Sequence, residues 1–197
     1  MTRRLLSSAL AAVVAAPAAA ADVYTVDVPH SEVTFQVTHL TISKVRGRFK
    51  EFEGTVQVEP GSPELSSVEF RIKAASIDTE EPKRDDHLRS ADFFDATNHP
   101  ALVFKSTRVA PKGQDLYDVT GELTIRGNTK TITLPVKVAG PIQDPFGNTK
   151  LGFETTATIN RKDFGVSWSK LMDNGGLVVS DEVAVTIALA VTKQKAE

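Results

Sequence analysis

Val68-Glu69-Phe70-Arg71-Ile72-Lys73-Ala74 and Thr131-Ile132-Thr133-Leu134-Pro135-Val136-Lys137-Val138 place an apolar side chain at every second position. Strand side chains point to opposite faces with a period of two, so each stretch presents one greasy face and one mostly wet face. The other strand-like runs after Val23 largely follow the same pattern. Strands of this kind hide their apolar faces when the sheet closes on itself, and the pattern reads as an all-β, closed barrel.

Outward from these two stretches, strands are expected near Val23 to Asp27, Val33 to His39, Val45 to Val58, Val68 to Ile77, Leu102 to Val109, Tyr117 to Ile125, Lys130 to Val138, Leu151 to Asn160 and Val178 to Thr192. The first is short and reads as an appendage, which leaves about eight long strands of the kind that make a small barrel. Turn chemistry separates many of them. Gly127-Asn128 suits a two-residue hairpin, and Pro60-Gly61, Pro111-Lys112-Gly113, Pro145-Phe146-Gly147-Asn148 and Asn174-Gly175-Gly176 suit longer loops. Hairpins imply antiparallel neighbours.

Two strands depart from simple alternation. Val45, Gly47 and Phe49 sit on odd positions whereas Phe52, Gly54, Val56 and Val58 sit on even ones, so a bulge near Lys50 and Glu51 is expected to restore the inward face. In the last strand Val183, Val185, Ile187, Leu189 and Val191 alternate with Ala184, Thr186, Ala188 and Ala190, an outer face that calls for cover from a loop or from a second copy in a homodimer.

Thr79 to Phe94 breaks the period altogether. Pro82 suits a first helical turn and Glu80 and Glu81 favour that end through the helix dipole. Leu88, Phe93 and Phe94 give the segment something to bury, so a helical lid or side wall at about residues 80–94 is expected against one end of the barrel.

Arg3 and Arg4 precede an uncharged Ala- and Leu-rich run from Leu5 to Ala16, and Ala18 to Ala21 offers the small-residue pattern of a secretory cleavage site. The run falls short of the roughly 20 residues of a membrane anchor. The expected organisation is therefore a cleaved signal peptide over residues 1–21 and a single domain over 22–197. Its arginine pair suits either the general or the twin-arginine route, with general export favoured.

Without Arg3 and Arg4 the 23 basic residues become 21 against 25 acidic ones, a formal net charge of −4 that gives nucleic acid no electrostatic foothold. There are no cysteines, so the exported fold rests on its own core, and thiol catalysis and thiolate metal sites are excluded.

No G-x-S-x-G, H-E-x-x-H, phosphate loop or dinucleotide fingerprint occurs. His30, His39, His87 and His99 form no H-x-H or H-x-x-x-H pair, and neither a metal nor a cofactor is expected. His39 follows Val33, Phe35 and Val37 in phase and points inward, either as a hydrogen-bonded core residue or as a polar group meeting a ligand's head. Arg84, His87 and Arg89 form a cationic cluster that could pair with a phosphate or carbonyl head group, although ion pairs within the helix, such as Arg84 with Asp85 or Asp86, are the default. The phenylalanines and Trp168 would fill a solid core equally well. About eight strands, however, leave room for one small ligand, and Val, Ala, Gly and Thr on the facing positions leave space unfilled.

The stretch His30-Ser31-Glu32-Val33-Thr34-Phe35-Gln36-Val37-Thr38-His39-Leu40, with Gly47-Arg48-Phe49 and Phe52-Glu53-Gly54-Thr55-Val56, resembles the YceI-like family of bacterial exported polyisoprenoid-binding proteins. So do Ala75 to Thr79, Arg84 to Asp95, Val119 to Lys130, Arg161-Lys162-Asp163-Phe164-Gly165 with Trp168, and Asp181-Glu182-Val183. The resemblance covers nearly the whole mature chain. It implies an extended, eight-stranded antiparallel lipocalin-like barrel in the periplasm, whose apolar pore holds an isoprenoid lipid such as a polyprenyl chain or an isoprenoid quinone, with no stable membrane insertion after processing. The expected contacts are Phe35, Val37, His39, Phe49, Phe52, Phe70, Ile72, Arg84, His87, Leu88, Phe93, Phe94, Phe104, Phe153, Phe164 and Trp168. Catalysis is not implied. An enzyme acting on such a lipid, with His39, Asp85 and His87 as acid-base groups, is the alternative, and a scaffold with a filled core is a third.

Overall fold

A computed structural model describes residues 21–170 and 177–195. The signal-peptide segment up to residue 20 and the turn expected at Asn174-Gly175-Gly176 lie outside the described residues. Eleven strand segments run in chain order: β1 (Asp22–Val26), β2 (Glu32–His39), β3 (Ser43–Phe49), β4 (Phe52–Val58), β5 (Ser67–Lys73), β6 (Ile77–Asp78), β7 (Ala101–Gly113), β8 (Leu116–Ile125), β9 (Asn128–Gln143), β10 (Thr149–Asn160) and β11 (Val179–Lys193), with one α-helix, α1 (Pro82–Arg89).

The pairing closes the sheet. β4, β5, β7, β8, β9, β10 and β11 are hydrogen-bonded in that order, and β1 pairs with both β4 and β11. The short first strand is therefore no appendage but the stave that completes the ring, with Tyr24 opposite Val56 on one side and Lys193 on the other. β11 is shared, since Val191 to Lys193 face β1 while Val183 to Ala188 face β2. β1 with β2, β3 with β4, and β5 with β6 are bent halves of single staves, which gives a closed, antiparallel, eight-stranded barrel and one short helix.

Lys50 and Glu51 interrupt β3–β4 where the apolar phase slips. Phe49 and Phe52 are both buried on either side of the break, and the kink keeps its hydrogen bonds through Lys50 N–H to the Ser76 carbonyl (3.1 Å) and Lys73 N–H to the Glu51 carbonyl (3.0 Å).

Two turns shift from their expected places. The β8–β9 hairpin turns on Arg126 and Gly127, both at positive φ, rather than on Gly127-Asn128, and Ile125 pairs with Asn128. β7 continues through Pro111 to Gly113, where it pairs with Leu116, so the turn falls on Gln114 and Asp115. The outer face of β11 is partly covered by a loop. Ser31 Oγ donates to the Ala190 carbonyl and accepts from its N–H (3.0 Å), whereas Ala184 and Thr186 are exposed.

The helix spans Pro82–Arg89, shorter than expected, with turns at residues 91–94. Pro82 opens it, Glu81 accepts from Lys83 N–H at the N-cap, and His87 and Arg89 occupy its last turn. It packs beside β6 at the barrel end where β3 stops and β7 starts. The β4–β5 connection and the β7–β8 and β9–β10 hairpins lie at the opposite end. The larger apolar cluster includes Phe49, Ile77, Phe93 and Phe164, and a smaller one of Tyr24, Val56, Leu151 and Val191 sits toward the hairpins. Among the described residues no helix is long and apolar enough to cross a membrane.

Candidate functional site

Inward positions of the staves do not meet at the barrel axis. They line a cavity of about 660 Å³ that runs from His39, Arg84 and Trp168 beneath α1 to Pro60, Pro63 and Tyr117 at the hairpin end. Side chains such as Phe35, Ile159 and Val183 are only half-buried although they point inward, as they must be when they border a void. Cavities of roughly 300–1,000 Å³ with apolar walls and a few polar groups are the usual dimensions of small-molecule sites.

Fifteen of the sixteen residues singled out from sequence border this void. Phe35, Val37, His39 and Phe49 come from the β2–β3 hairpin. Phe70, Ile72 and Phe104 come from β5 and β7, and Phe153 from β10. Arg84, His87, Leu88, Phe93 and Phe94 descend from the helical segment, and Phe164 and Trp168 from the segment after β10. Phe52 does not reach it. Its ring packs 5.8 Å from Phe70 inside the core.

Missing from the sequence reading was most of the opposite wall, including Val119, Leu123, Ile132, Leu134, Val136, Thr155, Ala157, Ile187 and Leu189. The signal was there, since those residues sit on the same alternation that revealed the barrel. Tyr117 shares that alternation with Val119 and Leu123, whereas Arg161 and Thr79 also border the void and carry no such signal.

Aromatic rings build the end beneath the helix. Phe49 bridges Phe35 (5.7 Å between centroids) and Phe94 (5.9 Å), while His87 stands edge-on to Phe93 (5.0 Å) and Trp168 (5.2 Å). His87 Nε2 lies 2.8 Å from the Asp92 carboxylate, which fixes the ring.

An ion pair within the helix forms as expected, but with partners other than Arg84. Asp86 pairs with Arg89 (3.0 Å), and Arg89 also donates to the Ala75 and Ile77 carbonyls (2.8 Å each). Arg84 instead reaches back to Thr79, with Nε on the hydroxyl (2.7 Å) and Nη2 on the carbonyl (2.8 Å). Asp85 is 5 % exposed and accepts from the Thr79 N–H (2.9 Å) and hydroxyl (2.5 Å), and it does not border the cavity. His39, Asp85 and His87 therefore do not converge on the cavity as an acid-base set. Among the described residues no group of three or more His, Asp or Glu side chains could hold a metal ion.

A short strap after β10 closes this end. Asn160 caps a 3-10 turn over Arg161–Phe164 by accepting from Lys162 N–H (3.0 Å), and Gly165 reverses the chain in the left-handed region. Arg161 is buried and donates to the Val166 and Trp168 carbonyls (2.7 Å each), the Ser180 carbonyl (3.0 Å) and Asp181 (3.0 Å). Burial pulls its basicity below the ordinary arginine value, opposed by Asp181. Asn128 and Arg126 tie the strap to the β8–β9 hairpin, Asn128 Nδ2 donating to the Phe164 carbonyl (3.0 Å) and Arg126 to the carbonyls of Gly165 and Ala91.

The profile of the YceI-like domain matches residues 24–191. A UPF0312 protein of Vibrio cholerae serotype O1 is 39 % identical over 169 residues, covering 84 % of this chain and 89 % of that protein. Protein YceI of Shigella flexneri is 39 % identical over 166 residues, covering 84 % and 83 %. Among solved structures, Burkholderia cenocepacia BcnA superposes with a TM-score of 0.74 at 31 % identity, covering 84 % of this chain and 98 % of that one. A polyisoprenoid binding domain from Saccharophagus degradans superposes with a TM-score of 0.67 at 17 % identity, covering 87 % and 98 %, a likeness of fold alone.

Proposed function

Because the chain belongs to the YceI-like family, we propose that it is an exported binding protein that holds an isoprenoid lipid, a polyprenyl chain or isoprenoid quinone, in the barrel cavity. The observation that carries this reading is the continuous apolar void of about 660 Å³ along the barrel. A long, unbranched-backbone hydrocarbon with methyl side groups suits a lumen walled by Val, Leu, Ile and Phe and interrupted by few polar atoms. The polyisoprenoid binding domain of Saccharophagus degradans shares this architecture, which favours the same ligand class. The lumen contacts proposed are the fifteen predicted residues that border the void, together with the β8–β11 wall.

The energetics permit micromolar binding when the association cost falls in the lower part of its range. At about 0.8 kcal/mol per buried methylene, four isoprene-sized units supply roughly 16 kcal/mol gross, against an association cost on the order of 4 to 15 kcal/mol. Micromolar binding needs about −8 kcal/mol net. Export to the periplasm, with carriage, storage or sequestration as the role, rests on the Arg3-Arg4 leader and its Ala-rich run.

Native mass spectrometry of protein isolated from the periplasm of its own host tests the proposal. A lipid adduct with isoprenoid fragmentation is expected. Ligand-free protein, under conditions that keep control lipids bound to other carriers, overturns it.

A further inference from the structure

The cavity reaches the surface at one end. Among the described residues, those that both border the void and stand exposed are Pro60, Gly61, Asp115, Gly140 and Pro141 at the hairpin end and Glu154 on the wall, and none belongs to the helix end. The helix and the strap therefore cap the barrel, and the mouth lies between the β4–β5 connection and the β7–β8 and β9–β10 hairpins.

The same three loops carry most of the large apolar side chains that the fold leaves uncovered. Leu65, Leu116, Ile142 and Phe146, between 40 % and 88 % exposed, are here, at least one to each loop, whereas Val28 and Ile42 stand singly elsewhere. Single exposed residues are ordinary, but four around one opening mark a surface with a partner. Each loop turns one apolar residue to the void and a near neighbour to water: Pro63 and Leu65, Tyr117 and Leu116, Pro141 and Ile142. Oily surface thus runs from the lumen wall over the rim. Phe146 is carried on a fixed turn, in which Asp144 accepts from the Phe146 and Asn148 N–H groups (2.9 Å each) and the Gly147 N–H donates to the Asp144 carbonyl (3.0 Å).

Charge decides what these tips fit. Lys112, Lys150 and Lys193 are each paired with an aspartate (3.0, 2.6 and 2.7 Å), while Glu59, Glu64 and Asp115 make no ion pair among the described residues. Such a rim repels an anionic leaflet, and it complements the ammonium groups on the outside of a phosphatidylcholine or phosphatidylethanolamine layer. A protein partner needs a contiguous apolar centre, and here the centre of the ring is the mouth itself. A fluid bilayer accepts separate apolar tips one by one.

We propose that the hairpin end is a membrane-docking surface, on which Leu65, Leu116, Ile142 and Phe146 enter the interface of a zwitterionic bilayer and set the mouth of the lumen against it. The assignment rests on the isoprenoid-carrier reading and adds to it the place where the lipid crosses between bilayer and barrel.

Flotation with vesicles of phosphatidylcholine and phosphatidylethanolamine tests the docking, and transfer of geranylgeraniol from the same vesicles is read through Trp168, the sole tryptophan, which borders the lumen. Ile142→Ser combined with Phe146→Ser is expected to weaken vesicle binding about tenfold or more and to slow transfer in proportion, while uptake of geranylgeraniol dispersed without vesicles stays unchanged. Ile42→Ser, at the opposite end, is expected to change neither. Wild-type protein that stays off the vesicles, binding that survives the double substitution, an equal loss in Ile42→Ser, or binding strengthened severalfold by added phosphatidylglycerol overturns the docking assignment. If dispersed geranylgeraniol is still taken up in any of these cases, the carrier reading stands. A protein that docks on vesicles yet takes geranylgeraniol from neither source overturns the carrier reading and with it the purpose assigned to docking. Should the double variant not fold, the lack of native cysteines supplies a second measurement. An environment-sensitive dye on Phe146→Cys is expected to shift to the blue on vesicles and the same dye on Ile42→Cys to stay unshifted, and the reverse order overturns the assignment.

Discussion

The two ends of this barrel are built from different chemistry. Beneath the helix, the chain leaves the sheet for the β6–α1 segment and for the strap after β10, and polar side chains satisfy the backbone groups released there: Arg161, Arg89, Arg126 and Asn128 together reach the carbonyls of Ala75, Ile77, Ala91, Phe164, Gly165, Val166, Trp168 and Ser180. At the hairpin end most ladders turn back on themselves and the help is lighter: Asp144 accepts from the Phe146 and Asn148 N–H groups (2.9 Å each) and Ser66 Oγ from the Glu59 N–H (3.1 Å), while Leu65, Ile142 and Phe146 stand exposed. The comparison teaches where polar side chains become structural. Strand pairing consumes its own hydrogen bonds, and only where it stops must arginine and asparagine replace it.

The largest effect should therefore come from Arg161. Arg161→Ala leaves three carbonyls without their donor and Asp181 with Lys162 alone, and a loss of about 3–5 kcal/mol is expected in urea-unfolding measurements. A loss below about 1 kcal/mol would erase the distinction between the ends.

Next, Gly47→Ala would press a Cβ into the Phe35 ring and bring it within 2.8 Å of Thr79 Cγ2. About 1–3 kcal/mol is expected from such overpacking, and Phe35, free to swing inward, should narrow the lumen enough to weaken retention of the lipid probe.

A third effect depends on pH. Asp78 accepts from Lys50 (2.9 Å), from the Glu80 N–H and from Arg48 (3.2 Å), and these hydrogen bonds, Lys50 foremost, lower its carboxyl from 3.8 to about 2. The folded protein binds this proton less readily than the unfolded chain, so the contribution is complete above the unfolded value and drains away as pH falls from about 4 to about 2. Melting temperatures measured across that window should fall less steeply in Asp78→Asn than in wild type, and parallel slopes would refute the assignment.

The smallest effect should lie at the opposite end. Phe146 is 88 % exposed, and Phe146→Ser should change stability by no more than about 0.5 kcal/mol in the same urea assay. A larger loss would show that the hairpin end has an apolar structure of its own.

The barrel was legible because alternation is a local property of each stretch. Ile132, Leu134, Val136 and Val138 declare their face whatever they pair with, and even the kink at Lys50-Glu51 showed as a slip of phase between Phe49 and Phe52. The candidate site was legible where it reused that phase, as at Phe35, Val37 and His39. It was illegible where contact depends on partners distant in the chain. Nothing near Arg84 announced that it would choose Thr79 over Asp86, and nothing near Phe52 that Phe70 would cover it. The short run at Val23 to Asp27 looked dispensable because its importance lies in two neighbours, β4 and β11, that only folding brings to its sides.

Sequence alone determined the strand period, the inward face, the interruption by one helix and the absence of any thiol chemistry, since each follows from the order of residues along a few turns or strands. Only the tertiary structure decided that the inward faces stop short of one another, that β1 closes the ring, and that the cations of the lumen gather at one end. Those outcomes depend on the diameter of an eight-stranded ring and on hydrogen bonds between residues far apart in the chain, quantities that no local pattern encodes.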